Sequence, residues 1–221
     1  MKLGELIATA RNRADDIAVP YLWSDIEWTE YANDAENEAC RRARLITDAS
    51  TTAICEAAIT SGNGVITLDK HVIFVRRVKL TSQSQPLHSM DYRDLDSGYP
   101  SWESQSGPPR AWVRNWETGK ALLWPTPDAT DTAKLRVVRL PLVPMTNLTT
   151  HSPEINERLH LSLVFWMLFR AYSKTDSQTI DPKKASENLA LFEQEFGQKS
   201  SAIDETWINE NHGQDDFEGL Y

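Results

Sequence analysis

Cysteine, positive charge and long apolar runs are all scarce in this sequence. Two cysteines, Cys40 and Cys55, occur among 221 residues, and we expect both to be buried thiols in a reducing compartment because the start of the chain lacks the apolar segment of a secretory signal. The formal net charge of −9 argues against a protein that grips nucleic acid by counterion release. The apolar run within residues 153–172 is shorter than the roughly 20 apolar residues of a membrane span, so we expect no membrane partner.

Motifs of several enzyme classes are also absent. The chain contains neither of the glycine-rich phosphate-binding patterns, G-x-x-x-x-G-K-[ST] and G-x-G-x-x-G, and it lacks the G-x-S-x-G nucleophile elbow. Glu157 and His160 have Glu-x-x-His spacing, which places both on one helix face, but a di-iron bundle needs a second copy and two more glutamates. We therefore expect no catalytic residue, metal or cofactor. A metal-dependent helical-bundle enzyme that uses this pair stays open as an alternative from another class.

Two further alternatives have less support from the residues. Asp91, Asp94 and Asp96 suggest a calcium loop only faintly, because glycine does not stand at the required position and no glutamate closes the loop. A regulatory DNA-binding protein needs a basic face, which the sequence does not indicate.

Both ends of the chain have the spacing of amphipathic helices. We predict helices over residues 2–17, 24–48, 153–172 and 182–196. The second begins with a capping box from Ser24 to Glu27, and its Glu36 and Glu38 are expected to face solvent or another subunit. The third is apolar on almost every side in its second half, which predicts a central helix buried all round. The expected core contains large side chains from three of these helices: Trp28, Tyr31, Leu163, Trp166, Phe169 and Phe192.

Residues 50–150 alternate as strands do and are rich in turn signals. We predict strands over residues 65–68, 72–80, 110–115, 120–124 and 134–142, and a long loop over residues 83–109. The predicted fold class is α+β. It combines a four-helix bundle, formed by an N-terminal hairpin (1–49) and a C-terminal helix pair (151–198), with an inserted antiparallel β domain (50–150) and an extended acidic arm (199–221).

Candidate partner contacts lie in three segments. Arg76 and Arg77 form a small basic patch with Lys79, which we expect to pair with acids in the chain or across an interface rather than with nucleic acid. The long loop contributes Tyr99 and Trp102, since large rings are favoured in subunit contacts. The arm has six acidic residues and no Lys or Arg from residue 200 onward, so it is either a disordered tail or an arm that orders on a neighbour. Its candidate anchors are aromatic and aliphatic: Trp207, Ile208, Phe217 and Tyr221.

Several segments together resemble a known family. Residues 22–25 (LWSD), 31–36 (YANDAE) and 38–43 (EACRRA) are similar to the N-terminal hairpin of tailed-phage head-to-tail adaptor proteins. Residues 109–112 (PRAW) and 123–127 (LWPTP) resemble the β region inserted in those proteins, and residues 160–196 resemble their C-terminal helix pair. The resemblance covers most of the chain except residues 83–107 and the arm.

This resemblance implies a structural virion protein without enzymatic activity. It would form a homo-oligomeric ring, usually dodecameric, below the portal protein, where it would extend the DNA channel and offer a docking platform for the tail or nozzle protein. Packaged DNA would pass through without sequence-specific binding. The expected location is the neck of the virion, after assembly in the host cytoplasm. The alternative within the same area is a tail completion or tail-tube protein that binds below the adaptor.

Overall fold

The structure, a computed structural model, describes residues 1–176, 178–199 and 201. The described chain forms two compact units, one from Met1–Ile46 with Leu140–Lys199 and the other from Thr47–Arg139. We call them the helical unit and the sheet unit. The fold is α+β, as the sequence predicts, and the described residues form six α-helices and two β-sheets.

The elements are numbered in chain order. The helices are α1 (Leu3–Ala14), α2 (Asp25–Ala43), α3 (Thr52–Cys55), α4 (Tyr92–Gly98), α5 (His160–Tyr172) and α6 (Pro182–Phe196). The strands are β1 (Ile46–Asp48), β2 (Glu56–Ile59), β3 (Val65–Thr67), β4 (Val72–Leu80), β5 (His88–Met90), β6 (Ala111–Glu117), β7 (Lys120–Trp124) and β8 (Asp131–Arg139). Two 3-10 turns, Trp102–Ser104 and Glu157–Leu159, complete the order. Within the described residues, no helix has the length and apolar character needed to cross a membrane.

Local capping chemistry explains where the helices of the helical unit begin. At the start of α2, the Ser24 hydroxyl accepts the Glu27 backbone N–H at 3.2 Å, and the Glu27 carboxylate accepts the Ser24 N–H at 2.8 Å. At the start of α6, Asp181 accepts the Lys184 N–H at 3.0 Å, and Pro182 occupies the first helical position. Both starts are confirmed predictions from the sequence.

Three helix boundaries differ from the prediction. Asp15 adopts the left-handed conformation (φ 58°) and ends α1 at Ala14, so Ile17 lies outside the helix. Arg44 does the same at φ 53° and ends α2 at Ala43, which lets Ile46–Asp48 form a strand. Residues 153–156 are not helical, and the 3-10 turn Glu157–Leu159 leads into α5 instead.

The core of the helical unit surrounds α5, which packs against α1, α2 and α6. Trp28, Tyr31, Leu163 and Phe192 are buried there. The prediction that α5 is buried all round is wrong, because Trp166 and Phe169 are only partly buried and Leu161 is exposed. Three neighbouring helices cover most of the circumference of α5 and leave this remaining side open.

The sheet unit contains two four-stranded sheets. In the first, β8 pairs with β1, β2 and β4, and Val75, Val78, Leu135 and Val137 alternate into the buried side. In the second, the order is β3-β7-β6-β5. Its β5 runs parallel to β6, so the expectation of a wholly antiparallel domain is wrong for this pair.

The segment over residues 83–109 was expected to be a long loop, but it contains β5, α4 and the turn Trp102–Ser104. Leu95 and Trp102 are buried with Val113 and Trp124 in a small cluster on the second sheet. The Trp124 Nε1–H also donates to the Trp102 carbonyl at 3.1 Å. A few large side chains therefore order a stretch whose composition is otherwise polar. Cys40 and Cys55 are buried as expected, and neither forms a disulfide with another described residue.

Candidate interaction surfaces

The loop that joins α1 to α2 is held from inside by a buried arginine. The Arg11 guanidinium contacts the buried Asp16 carboxylate and donates to the Trp23 carbonyl and the Asp25 carboxylate, each at 2.9 Å. Asp16 in turn accepts the Leu22 backbone N–H at 2.7 Å. These charge-assisted hydrogen bonds fix the backbone of the loop.

The same loop and the first turn of α2 present large apolar side chains to solvent. We call them the apolar loop surface: Ile17, Val19, Tyr21, Leu22 and Ile26. Ile17 is 63% exposed and Ile26 is 72% exposed. A loop with a fixed backbone and several exposed apolar side chains is typical of a surface that another protein covers. The sequence interpretation missed it because the helix predicted over residues 2–17 includes Ile17, whereas α1 ends at Ala14. The available signal was the number of large apolar residues between two helices, where loops are ordinarily polar.

An open depression of about 310 Å³ adjoins this surface. Ile26 and Leu148 form its apolar part, and Asp25 and Glu30 supply negative charge. Leu148 belongs to the segment that follows β8, and its carbonyl accepts the Gly4 N–H at 2.9 Å. The helical unit thus combines apolar and acidic groups around one concave surface.

Two acids of α2 that were expected to face solvent or another subunit are buried instead. Glu36 is 2% exposed and accepts the Glu154 backbone N–H, so it ties α2 to the segment before α5. Burial raises the pKa of Glu36 to about 7. The backbone N–H groups of Glu154 and Ile155 lower this pKa, but their effect is smaller than that of burial. Glu38 lies 2.9 Å from Arg42 and pairs with it on the same helix. Both acids therefore form contacts within the helical unit.

The predicted basic patch is larger than the sequence interpretation indicated. Arg76 and Arg77 are exposed on β4, where Arg76 is the extra residue of a β-bulge. The register of the sheet places Arg77 opposite Arg136 and Lys79 opposite Lys134 on β8. We call these five cations the basic sheet surface: Arg76, Arg77, Lys79, Lys134 and Arg136. The residues on β8 were missed because only the strand pairing brings them beside β4.

The two aromatic candidates of residues 83–109 differ in accessibility. Tyr99 is partly open to solvent, and its ring centroid lies 4.5 Å from that of Trp124. Trp102 is 7% exposed, and its Nε1–H donates to Asp96 at 2.8 Å. Trp102 is therefore a packing residue of the sheet unit, and its burial corrects its proposed role as a partner contact.

The acids of the weak calcium pattern have structural partners. Asp91 caps α4 by accepting the Arg93 N–H at 2.8 Å, and Asp96 holds Trp102. Capping of α4 accounts for Asp91, and the hydrogen bond from Trp102 accounts for Asp96.

Glu157 and His160 also have partners unrelated to a metal. His160 is buried, with Nε2 3.0 Å from the Ile155 carbonyl oxygen and Nδ1 2.9 Å from the Met1 amino nitrogen. The Glu157 carboxylate lies 3.0 Å from the same amino group. Among the residues that the structure describes, no group of three or more His, Cys, Asp or Glu side chains is placed to hold a metal ion.

The proposed anchors of the C-terminal arm, Trp207, Ile208, Phe217 and Tyr221, lie outside the described residues. Their roles stay predictions.

Comparison with known proteins adds one match. A protein-family model described as SU10 adaptor protein matches residues 1–214. The matched range includes both units and most of the acidic C-terminal segment. No curated protein matches the chain.

Proposed function

Because the chain belongs to the SU10 adaptor protein family, a family of phage head-to-tail adaptors, we propose that it assembles as a ring between the portal and the tail of a virion. The ring, with twelve copies as the expected number, extends the DNA channel and offers a platform on which the tail or nozzle protein docks. The chain acts as a structural component of the neck rather than as an enzyme. Assembly takes place in the host cytoplasm.

The organisation of the chain supports this proposal. We interpret α1, α2, α5 and α6 as a four-helix bundle and the sheet unit as a domain inserted between its halves. Such a chain can use one unit to contact one neighbour and the other unit to contact a second. Repeated contacts in a ring add through avidity, so each contact can be weak.

The apolar loop surface is the observation that carries the proposed assembly role. Its side chains lie on a backbone fixed by Arg11, so little conformational entropy is lost when a partner covers them. We propose that this surface binds portal, and that the neighbouring acidic depression helps to select a partner with complementary charge.

The charge of the chain agrees with a channel that DNA crosses without being held. A net charge of −9 disfavours tight binding to the phosphate backbone through counterion release. We therefore propose that packaged DNA passes the ring without sequence-specific binding.

Substitution of the loop tests the proposed contact. Replacing both Ile17 and Ile26 by Ser removes exposed apolar area without opening the core, so we expect unchanged unfolding and at least a tenfold weaker association with cognate portal. A matched control replaces Val143 and Leu191 by Ser, because these exposed apolar residues lie elsewhere in the helical unit. Equal portal binding by both double variants contradicts the role of the loop. Binding to tail proteins without any binding to portal favours a tail completion protein instead.

A further inference from the structure

Positively charged side chains of the basic sheet surface face one another across strands β4 and β8 and repel. Residues directly opposite on an antiparallel pair lie on the same face, and like charges there destabilise the pairing. The register of β4 and β8 sets Arg77 against Arg136 and Lys79 against Lys134. The sheet thus contains two successive pairs of facing cations.

Within the described residues, acidic side chains neutralise little of this positive charge. Lys134 contacts Glu56, which lies opposite it on β2. In the described part of the chain, no carboxylate forms an ion pair with Arg76, Arg77, Lys79 or Arg136. Arg76 instead has its guanidinium carbon 5.5 Å from the ring centroid of Phe74. This surface therefore has an excess of positive charge in a chain whose net charge is −9.

The complementary charge is concentrated at the C-terminus of the same chain. Residues 202–221 carry six acids and neither Lys nor Arg: Asp204, Glu205, Glu210, Asp215, Asp216 and Glu218. Fully extended, a segment of this length spans about 65–70 Å, so its carboxylates can reach side chains distant from Lys199. A segment tethered in this way reaches an effective concentration in the millimolar range, so it competes well with partners in solution.

We propose that the basic sheet surface binds the chain's own acidic segment, residues 202–221, in the free protein. The carboxylates pair with the facing cations and relieve their repulsion. This contact gives Arg76 and Arg77 an intrachain partner and assigns Lys134 and Arg136 to the same site. It is independent of the adaptor role, because it is measured on the purified chain without portal.

Zero-length crosslinking tests the contact directly. A carbodiimide joins a lysine ammonium group to a carboxylate that touches it, and peptide mapping by mass spectrometry identifies the pair. We expect Lys79 and Lys134 to link to acids of residues 204–218 at least fivefold more often than Lys70 and Lys183 do. The neighbouring pair of Lys134 and Glu56 must also link, which shows that the reaction works and that the sheet is folded.

Two double variants separate the proposed site from general electrostatics. Changing Arg77 and Arg136 to Gln removes two charges but leaves both reactive lysines in place, so we expect the links to the C-terminal acids to fall at least threefold. Changing Lys70 and Lys183 to Gln removes the same charge from other positions, and the links from Lys79 should persist. The proposal fails if the two double variants behave alike, or if the acids link to all exposed lysines equally.

Two further outcomes contradict the proposal. Crosslinking a mixture of ¹⁴N-labelled and ¹⁵N-labelled protein should give links within one isotope only, and mixed links would show that the segment binds another copy. Duplex binding that disappears in the variant with Arg77 and Arg136 changed to Gln would assign the surface to nucleic acid. Failure of portal binding would instead contradict the adaptor role and leave these crosslinks unaffected.

Discussion

Asn33 on α2 and Met145 in the segment after β8 exchange two hydrogen bonds. The Asn33 side-chain amide donates to the Met145 carbonyl at 2.9 Å, and its oxygen accepts the Met145 N–H at 2.7 Å. Met145 is buried in the core of the helical unit, so water does not replace these bonds readily. One side chain thereby satisfies both backbone groups of a residue more than a hundred positions away.

Replacing Asn33 by Ala should therefore destabilise the protein by about 2–3 kcal/mol, because both backbone groups of the buried Met145 lose their partners. Urea unfolding followed by circular dichroism measures the change. The control is Asn188→Ala on α6, where the amide donates to the Lys184 carbonyl at 2.8 Å on an exposed surface. That change should cost less than about 1 kcal/mol. Similar losses for both variants would contradict the role of the Asn33 contact.

Glu36 should make stability depend on pH near neutrality. The pKa of Glu36 is raised to about 7 by burial, so the folded state holds its proton more tightly than the unfolded state does. The stability linked to this proton is full below about pH 4.5 and is lost as the pH rises through about 7. The loss is at most about 3 kcal/mol for a shift of this size.

The variant Glu36→Gln isolates this effect, since an amide does not titrate in the range. Unfolding free energies of both proteins should be measured from pH 5 to pH 8. We expect the variant to gain stability relative to the unchanged chain as the pH rises. A difference that stays constant over this range would show that Glu36 does not titrate there.

The buried pair of Asp48 and Arg139 should be the most sensitive ion pair of the sheet unit. The Arg139 Nε lies 2.7 Å from the Asp48 carboxylate, which also accepts the Ser50 N–H at 2.9 Å and the Thr51 N–H at 3.1 Å. These hydrogen bonds hold the pKa of Asp48 well below its usual range, although burial opposes them. Asp48→Ala leaves a buried guanidinium without this carboxylate and should cost about 3–5 kcal/mol.

An exposed pair of the same sheet is the control for this change. Glu56→Gln weakens the contact with Lys134 and should cost less than about 1 kcal/mol, because surface ion pairs contribute little. Thermal unfolding of both variants gives the comparison. Equal losses of stability in the two variants would mean that burial does not increase the contribution of Asp48 to the stability of the fold.

Gly4 should resist a substitution that ordinarily stabilises helices. Alanine has a higher helix propensity than glycine by about 1 kcal/mol. A Cβ atom at residue 4 would, however, lie 2.9 Å from the Leu148 carbonyl oxygen, closer than side chains tolerate. We expect Gly4→Ala to destabilise the chain by about 1–3 kcal/mol through this overlap.

Gly98 at the end of α4 is the matched position with open space around its Cβ direction. Gly98→Ala should be neutral or slightly stabilising. The denaturation midpoints of Gly4→Ala and Gly98→Ala give the comparison. If Gly4→Ala raises the stability, Leu148 does not lie as close to α1 as the structure shows.

The features that sequence reasoning predicted are those set by residues close together in the chain. Ser24 and Glu27, or Asp181 with Pro182, form caps within four positions, and the starts of α2 and α6 follow from them. The end of α1 was missed because Asp15 takes a left-handed conformation that the sequence pattern does not mark. Local chemistry was thus sufficient for the helix starts but not for every helix end.

The features that were missed depend on residues far apart. Glu36 is buried because the segment before α5 covers it, 118 positions along the chain. Arg136 joins Arg77 through strand register alone. Trp102 is buried because it packs with Ala111, Val113 and Trp124, which lie on strands β6 and β7 later in the chain. Pairing and packing of this kind cannot be derived from periodicity, which is why the predicted long loop and the predicted exposed acids were wrong.

The mass of the purified protein, alone and mixed with its cognate portal, tests the central claim most directly. Native mass spectrometry or light scattering gives both masses. The adaptor role predicts a complex that contains about one copy of this chain for each portal subunit. If no complex with portal forms at concentrations up to tens of micromolar, the chain does not act as the adaptor below the portal.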